Sequence, residues 1–176
     1  MPGVDERLRF IPLRIAIMTV SDTRTRETDI SGEALQKRLE EAGHILADRR
    51  LLRDDMSAIR RLATEWIDDP AVDVVITTGG TGLTGRDVTV EAVRPLFDKE
   101  LEGFSVIFHQ VSYKTVGLAT LQSRACAGVA HGTFFFLLPG SAGAVNDAWD
   151  SIIRFELDAR YRPCNLVELM PRLMEK

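Results

Sequence analysis

Apolar residues along the chain gather into three runs, residues 15–20, 72–77 (interrupted only by Asp73 near its start) and 133–138, with amphipathic stretches between them. Continuous apolar runs of this length predict strands covered on both faces, since a half-exposed strand would alternate. A helix is expected over residues 31–42, where Ser31 is placed to cap, Ala34, Leu35 and Leu39 form a stripe, and Gly43 ends it. Residues 44–52 read as a weaker, more exposed strand. Ser57 opens a second helix with Ile59, Leu62, Ala63, Trp66 and Ile67 on one face and Pro70 beyond its end. Thr89 is read as the cap of a third helix, with Val93, Leu96 and Phe97 turned inward. The mixed stretch 104–129 predicts helix over 105–112 and again over 121–130. A last amphipathic helix is expected over 144–157 through Val145, Ala148, Trp149, Ile152 and Ile153. Trp66 and Trp149, set among aliphatic residues at helical spacing, are expected in the core.

Strands alternating with helices predict a three-layer α/β/α domain on a mainly parallel sheet, with the three apolar runs as neighbouring central strands. Residues 1–13, interrupted by Pro2, Gly3 and Pro12, read as an N-terminal arm, and 14–176 as a single domain. Ligands of such sheets sit beyond the carboxyl ends of the strands. Three loops, at Ser21-Asp22, at 78–87 and at Pro139-Gly140-Ser141, are thereby expected to meet in one pocket.

The chemistry concentrates in Thr77-Thr78-Gly79-Gly80-Thr81-Gly82-Leu83-Thr84-Gly85-Arg86-Asp87, which follows the second apolar run. Glycines and hydroxyls let backbone N–H groups approach a phosphate without obstruction. Asp87 adds a carboxylate where a magnesium ion bridging phosphate oxygens would need one, although capping of the next helix would also explain it. Gly80 to Gly85 also spell G-x-G-x-x-G, the dinucleotide fingerprint. The third glycine, however, lies in loop rather than helix, and the motif follows the third strand rather than the first. The acidic residue expected about 20 positions on falls where there is no strand character.

A net charge of −4 with no basic run argues against general nucleic-acid binding. No stretch approaches the ~18 apolar residues of a membrane span, and the charged N-terminus is no signal peptide. Cys126 and Cys164 form no Cys-x-x-Cys pattern, so reduced thiols in a cytoplasm are the default. His44, His109 and His131 are isolated and have no metal-ligand spacing.

Several motifs agree in order and spacing with the MoaB/MogA family of molybdopterin-binding proteins. These are Thr77–Gly82 followed by Arg86-Asp87-Val88-Thr89-Val90-Glu91-Ala92, Thr19-Val20-Ser21-Asp22, Ser31-Gly32, Leu121-Gln122-Ser123-Arg124 and Leu138-Pro139-Gly140-Ser141. The chain resembles that family over roughly residues 14 to 165. The resemblance implies a molybdopterin-binding-like fold, and adenylylation of molybdopterin with ATP and Mg²⁺ as the reaction. It implies Asp87 as catalytic group and metal ligand, and Ser123 with Arg124 at the pterin phosphate pocket. A second catalytic aspartate falls on Asp54, in Arg53-Asp54-Asp55, where the family's preceding proline is lost and helix capping would equally account for the pair. Substrate contacts are expected from Ser21, Asp22, Thr78, Gly79, Gly80, Thr81, Gly82, Ser123, Arg124, Pro139, Gly140 and Ser141. The resemblance further suggests a homotrimer or homohexamer, to which the apolar-rich segment 104–113 adds support. Residues 120–124 and the tail 158–165 resemble the B-type branch. That leaves open a non-catalytic protein that holds molybdopterin or a precursor and hands it to a molybdenum-insertion partner.

Overall fold

A computed structural model describes residues 2–175. Its elements run β1 (Gly3–Val4), β2 (Arg14–Val20), α1 (Ile30–Glu41), β3 (Ile45–Leu52), α2 (Met56–Asp68) and β4 (Val74–Thr78). Then follow α3 (Thr89–Val93), β5 (Lys99–Glu100), α4 (Glu102–Val116), β6 (Cys126–Ala130), β7 (Thr133–Leu138), α5 (Ala142–Ala148) and β8 (Tyr161–Arg162). The main sheet has the order β3-β2-β4-β7-β6-β5. Its first four strands are parallel, and β6 alone runs against them, paired antiparallel with both β7 and β5, so the three apolar runs are adjacent and central.

Strand alternation divides the core into two halves. Ile15, Ile17, Phe134 and Phe136 face α1, α4 and α5 with Leu35, Leu39, Phe108 and Trp149. Ala16, Met18, Phe135 and Leu137 face α2 and α3 with Ile59, Ala63, Trp66 and Val93. The result is the three-layer α/β/α sandwich. Gly3–Val4 pairs antiparallel with Tyr161–Arg162. The arm then enters the domain at buried Leu13, whose N–H donates to His44 Nδ1 at 3.1 Å. No helix among the described residues is long and apolar enough to cross a membrane.

Several expected elements differ. Residues 121–130 are not helical. A 3₁₀ turn over Gly117–Gln122 gives way to β6, which returns through the His131-Gly132 turn to pair with β7. The strand is built of small residues because Phe97 lies against it. A Cβ on Gly128 would stand 2.3 Å from the Phe97 ring. Capping of helix α1 falls to Asp29 rather than Ser31, and α2 begins one residue early, at Met56 with Asp55 as its cap, because each aspartate accepts an N–H of the first turn. Thr89 opens α3 instead of capping it, its hydroxyl having gone to Gly79 O at 2.8 Å. The helix expected over 105–112 extends across α4, and that over 144–157 starts at Ala142 and includes a π turn at Trp149–Ile153.

Candidate functional site

At the carboxyl ends of β2, β4 and β7 the three loops converge on a cleft of about 560 Å³. It is lined by Ser21, Asp22, Thr78, Gly79, Gly80, Thr81, Gly82, Asp87, Pro139 and Gly140, together with Asp54 from the loop after β3 and Ser123. The sheet's register brings this about: Thr19 lies beside Thr78, and Thr78 beside Leu138. The Thr78 hydroxyl then donates to Pro139 O at 2.9 Å, binding two of the loops together.

The glycine loop is held from behind. Gly79 O accepts from the Thr89 hydroxyl, Gly80 O from Thr89 N at 3.0 Å, Thr81 O from Arg124 N at 3.0 Å and Gly82 O from Arg124 Nε at 2.9 Å. With four successive carbonyls engaged, the Gly80 and Thr81 N–H groups donate to nothing among the described residues. That is a ready anion cradle. Only glycine suits position 80, where φ is +68° and a Cβ would meet the Thr89 hydroxyl at 2.1 Å and Asp54 Oδ1 at 3.1 Å.

Three aspartates border the cradle in different electrostatic states. Asp87 is partly buried, which works against its charge, but the Thr84 hydroxyl (2.6 Å), the Thr84 and Gly82 N–H groups and nearby Arg124 outweigh burial and lower its pKa. Asp54 is raised, by burial first and then by the negative charges of Asp22 and Asp87, with Arg86 opposing. Its carboxylate accepts no hydrogen bond among the described residues. Asp22 is lowered, chiefly by Arg86, whose Nε and Nη2 each reach it at 2.9 Å.

Two expected site residues serve other purposes here. The Arg124 guanidinium points behind the loop, to Gly82 O, Asp87 O and Glu91, and lines a neighbouring hollow rather than the cleft. Ser141 lies outside the cleft and caps α5 through Ala144 N at 3.1 Å. Ser21 stays at the cleft while its hydroxyl accepts from Thr23 N and Arg24 N.

The sequence reading passed over Arg24, the one Arg or Lys side chain among the described residues that lines the cleft. It donates to Ser31 Oγ (2.8 Å) and Gly140 O (3.0 Å) and lies 3.9 Å from buried Asp29, itself paired with Arg49 at 2.9 Å. Its position three residues after Ser21, at the end of a buried strand, was the available signal.

Among the described residues no group of three His, Cys, Asp or Glu side chains is arranged to hold a metal by itself. Mg²⁺ on a nucleotide needs less, one or two carboxylates beside phosphate oxygens. The unpartnered Asp54 carboxylate and the charged Asp87 meet that need in donor type.

Fold and cleft together define a three-layer α/β protein with a polar cleft at the carboxyl ends of its central strands. Residues 16–159 match the family model described as "Probable molybdopterin binding domain", and the chain belongs to that family. It is 50% identical to molybdenum cofactor biosynthesis protein B of Escherichia coli (strain K12) over 156 residues, covering 89% of this chain and 92% of that one. It is 47% identical to the protein of the same name from Bacillus subtilis (strain 168) over 146 residues, covering 82% and 86%. A crystal structure of a molybdenum cofactor biosynthesis protein B superposes with a TM-score of 0.80 at 43% identity, covering 84% of this chain and 92% of that one. The tungsten cofactor synthesizing protein MoaB from Pyrococcus furiosus gives 0.72 at 36%, covering 80% and 90%. This is a MoaB/MogA-type fold within the molybdenum cofactor biosynthesis family.

Proposed function

We propose that the cleft binds molybdopterin by its terminal phosphate and adenylylates it with Mg-ATP, releasing pyrophosphate. The observation that carries this reading is the glycine loop. Its carbonyls are tied back to Thr89 and Arg124, its free N–H groups form an anion cradle, and Asp54 and Asp87 stand beside it.

In this reaction a pterin phosphate oxygen bonds to the α-phosphorus of ATP while the bond from that phosphorus to the bridging oxygen breaks. Positioning and charge stabilisation do most of such work, so no side-chain nucleophile is required. The loop amides hold a phosphate, and Arg24 adds positive charge from the opposite loop. Asp87, kept ionised by Thr84, and Asp54 are the residues that would hold Mg²⁺, which supplies charge neutralisation on the phosphates. The raised Asp54 pKa means that its hold on Mg²⁺ would weaken as pH falls.

A second reading is a binding protein without turnover that passes molybdopterin or a precursor to a molybdenum-insertion protein. What favours it is that the E. coli and B. subtilis relatives both bear the B name, and that Arg53 stands before Asp54 where the family's catalytic members resemble each other in having proline. Incubating purified protein with molybdopterin, ATP and magnesium separates the two. Adenylylated molybdopterin and pyrophosphate in equal amounts support the first reading. Pterin binding without either product leaves the second.

A further inference from the structure

Behind Arg24 a buried carboxylate is shared unequally between two arginines. The Asp29 side chain is only 2% exposed and accepts from the Thr19 hydroxyl (2.8 Å), Gly32 N (2.9 Å) and Arg49 Nη2 (2.9 Å). The enclosure is tight, since a Cβ on Gly32 would stand 2.1 Å from Asp29 Oδ2 and 2.6 Å from the Thr19 hydroxyl. Arg49 comes from β3, is mostly buried and lies outside the cleft. Its Nη1 donates to Gln36 Oε1 at 3.1 Å, which fixes the other side of its guanidinium.

Arg24 reaches the same carboxylate only at 3.9 Å. Among the described residues its side-chain hydrogen bonds go to neutral acceptors, the Ser31 hydroxyl and Gly140 O, and Ser31 itself donates to Gly140 O at 2.9 Å. Neutral acceptors orient a guanidinium without cancelling its charge. Gly140 in turn packs on the glycine loop, where a Cβ on it would lie 3.2 Å from Gly79 Cα. The fixed guanidinium therefore stands close to the free Gly80 and Thr81 amides. One buried negative charge set against two arginines leaves one positive charge over. The distances, 2.9 Å for Arg49 and 3.9 Å for Arg24, leave it on the residue that faces the cleft.

We propose that Asp29 and Arg49 are positioning residues that set how much positive charge Arg24 offers to an anion in the cleft. Arg49 occupies Asp29, while Ser31 and Gly140 O aim Arg24. Without Arg49, Asp29 turns its attraction on Arg24 and draws the guanidinium away from the ligand. Without the Asp29 charge, nothing opposes Arg24. Such effects are strong where charges lie close together and largely out of water. The inference rests on the phosphate reading above and adds to it a control that lies outside the cleft.

The test measures pyrophosphate binding by calorimetry at low salt for wild type, Arg24→Gln, Arg49→Met and Asp29→Asn, beside melting temperatures. Asp29→Asn keeps an oxygen for Gly32 N, so the α1 cap and the fold should survive. Arg24→Gln and Arg49→Met should each weaken binding about fivefold or more, and Asp29→Asn should tighten it by a similar factor. Damage to the fold would weaken binding in both partners' variants, so opposite signs identify the charge effect. In an Arg24→Gln background the Asp29 and Arg49 substitutions should have no further effect, because they act through that guanidinium. Effects that persist there overturn the proposal. If Arg49→Met fails to fold, Asp29→Asn decides alone, and affinity that does not rise overturns it. Arg24→Gln that binds as wild type does ends this assignment and leaves the phosphate reading standing. Wild type that binds no pyrophosphate ends both.

Discussion

Arg86 grips Asp22 with two parallel hydrogen bonds of 2.9 Å, joining the glycine loop to the loop after β2 across 64 residues of chain. The pair is solvent-facing, so its direct contribution to stability is small. It also bears on Asp54. Burial raises the Asp54 pKa first, Asp22 adds to the rise, and Arg86 opposes it. Arg86→Ala should therefore move the Asp54 titration to higher pH. A raised carboxyl pKa means the folded protein holds its proton longer, so any magnesium dependence at Asp54 should switch on as pH rises, and later in the variant. Carboxyl-carbon NMR titration of both proteins checks the shift, and an unmoved midpoint would show that the pair and Asp54 are uncoupled.

Asp87→Asn removes the charge but keeps an oxygen to accept from Thr84. Under the adenylylation reading, turnover should fall by roughly a hundredfold or more, since metal assistance contributes several kcal/mol and each ~1.4 kcal/mol is tenfold in rate. Stability should change little, by about 1–2 kcal/mol, since the Thr84 hydrogen bonds survive and only their charge assistance is lost. Melting temperature measured beside adenylylation rate decides the matter. An intact rate in the variant sinks the catalytic role of Asp87.

His44 predicts an acid-sensitive arm. Burial pushes its pKa down from 6.5 to about 4, against the pull of the Asp158 carboxylate. The unfolded chain then binds a proton that the folded chain refuses between those values. Stability from this group is full above pH 6.5 and is lost as pH falls towards 4, by about 3 kcal/mol at most. His44→Asn keeps an acceptor for Leu13 N and should flatten that slope in urea titrations run across the same window. A slope equal to wild type would place the acid sensitivity elsewhere.

The chain is expected to self-associate as a trimer or hexamer. Val106, Ile107, Tyr113 and Val116 on α4, with Leu118 and Leu121 beyond it, are between 49% and 71% exposed in the single chain. Light scattering at micromolar concentration should return a multiple of 19.6 kDa, and Ile107→Glu should lower it. A mass near 20 kDa for wild type would remove the prediction.

The central sheet was legible because Ile15, Ile76 and Phe136 sit in strands buried on both faces, where apolar continuity is the physical signature. β6 was not. Cys126-Ala-Gly-Val-Ala carries little hydrophobic signal, since its size is set by Phe97, thirty-one positions away from Gly128. Caps were displaced for a related reason, as the Ser31 and Thr89 hydroxyls take partners, Gly140 O and Gly79 O, that lie outside their own helices. In the site, the glycine loop announced its chemistry locally. The backward turn of Arg124 depends on Glu91 and Gly82, and no spacing along the chain reports a side chain's direction.

The borders of the main sheet bear on how such chains meet one another. One border is β3, whose Asp48, Arg49 and Arg50 put charge along the outer strand, and the other is β5, only two residues long. A charged edge and a very short one both offer poor templates for another strand. Growth of the sheet from molecule to molecule is thereby discouraged, and contact between copies is channelled to helical surface, where association can close instead of propagating.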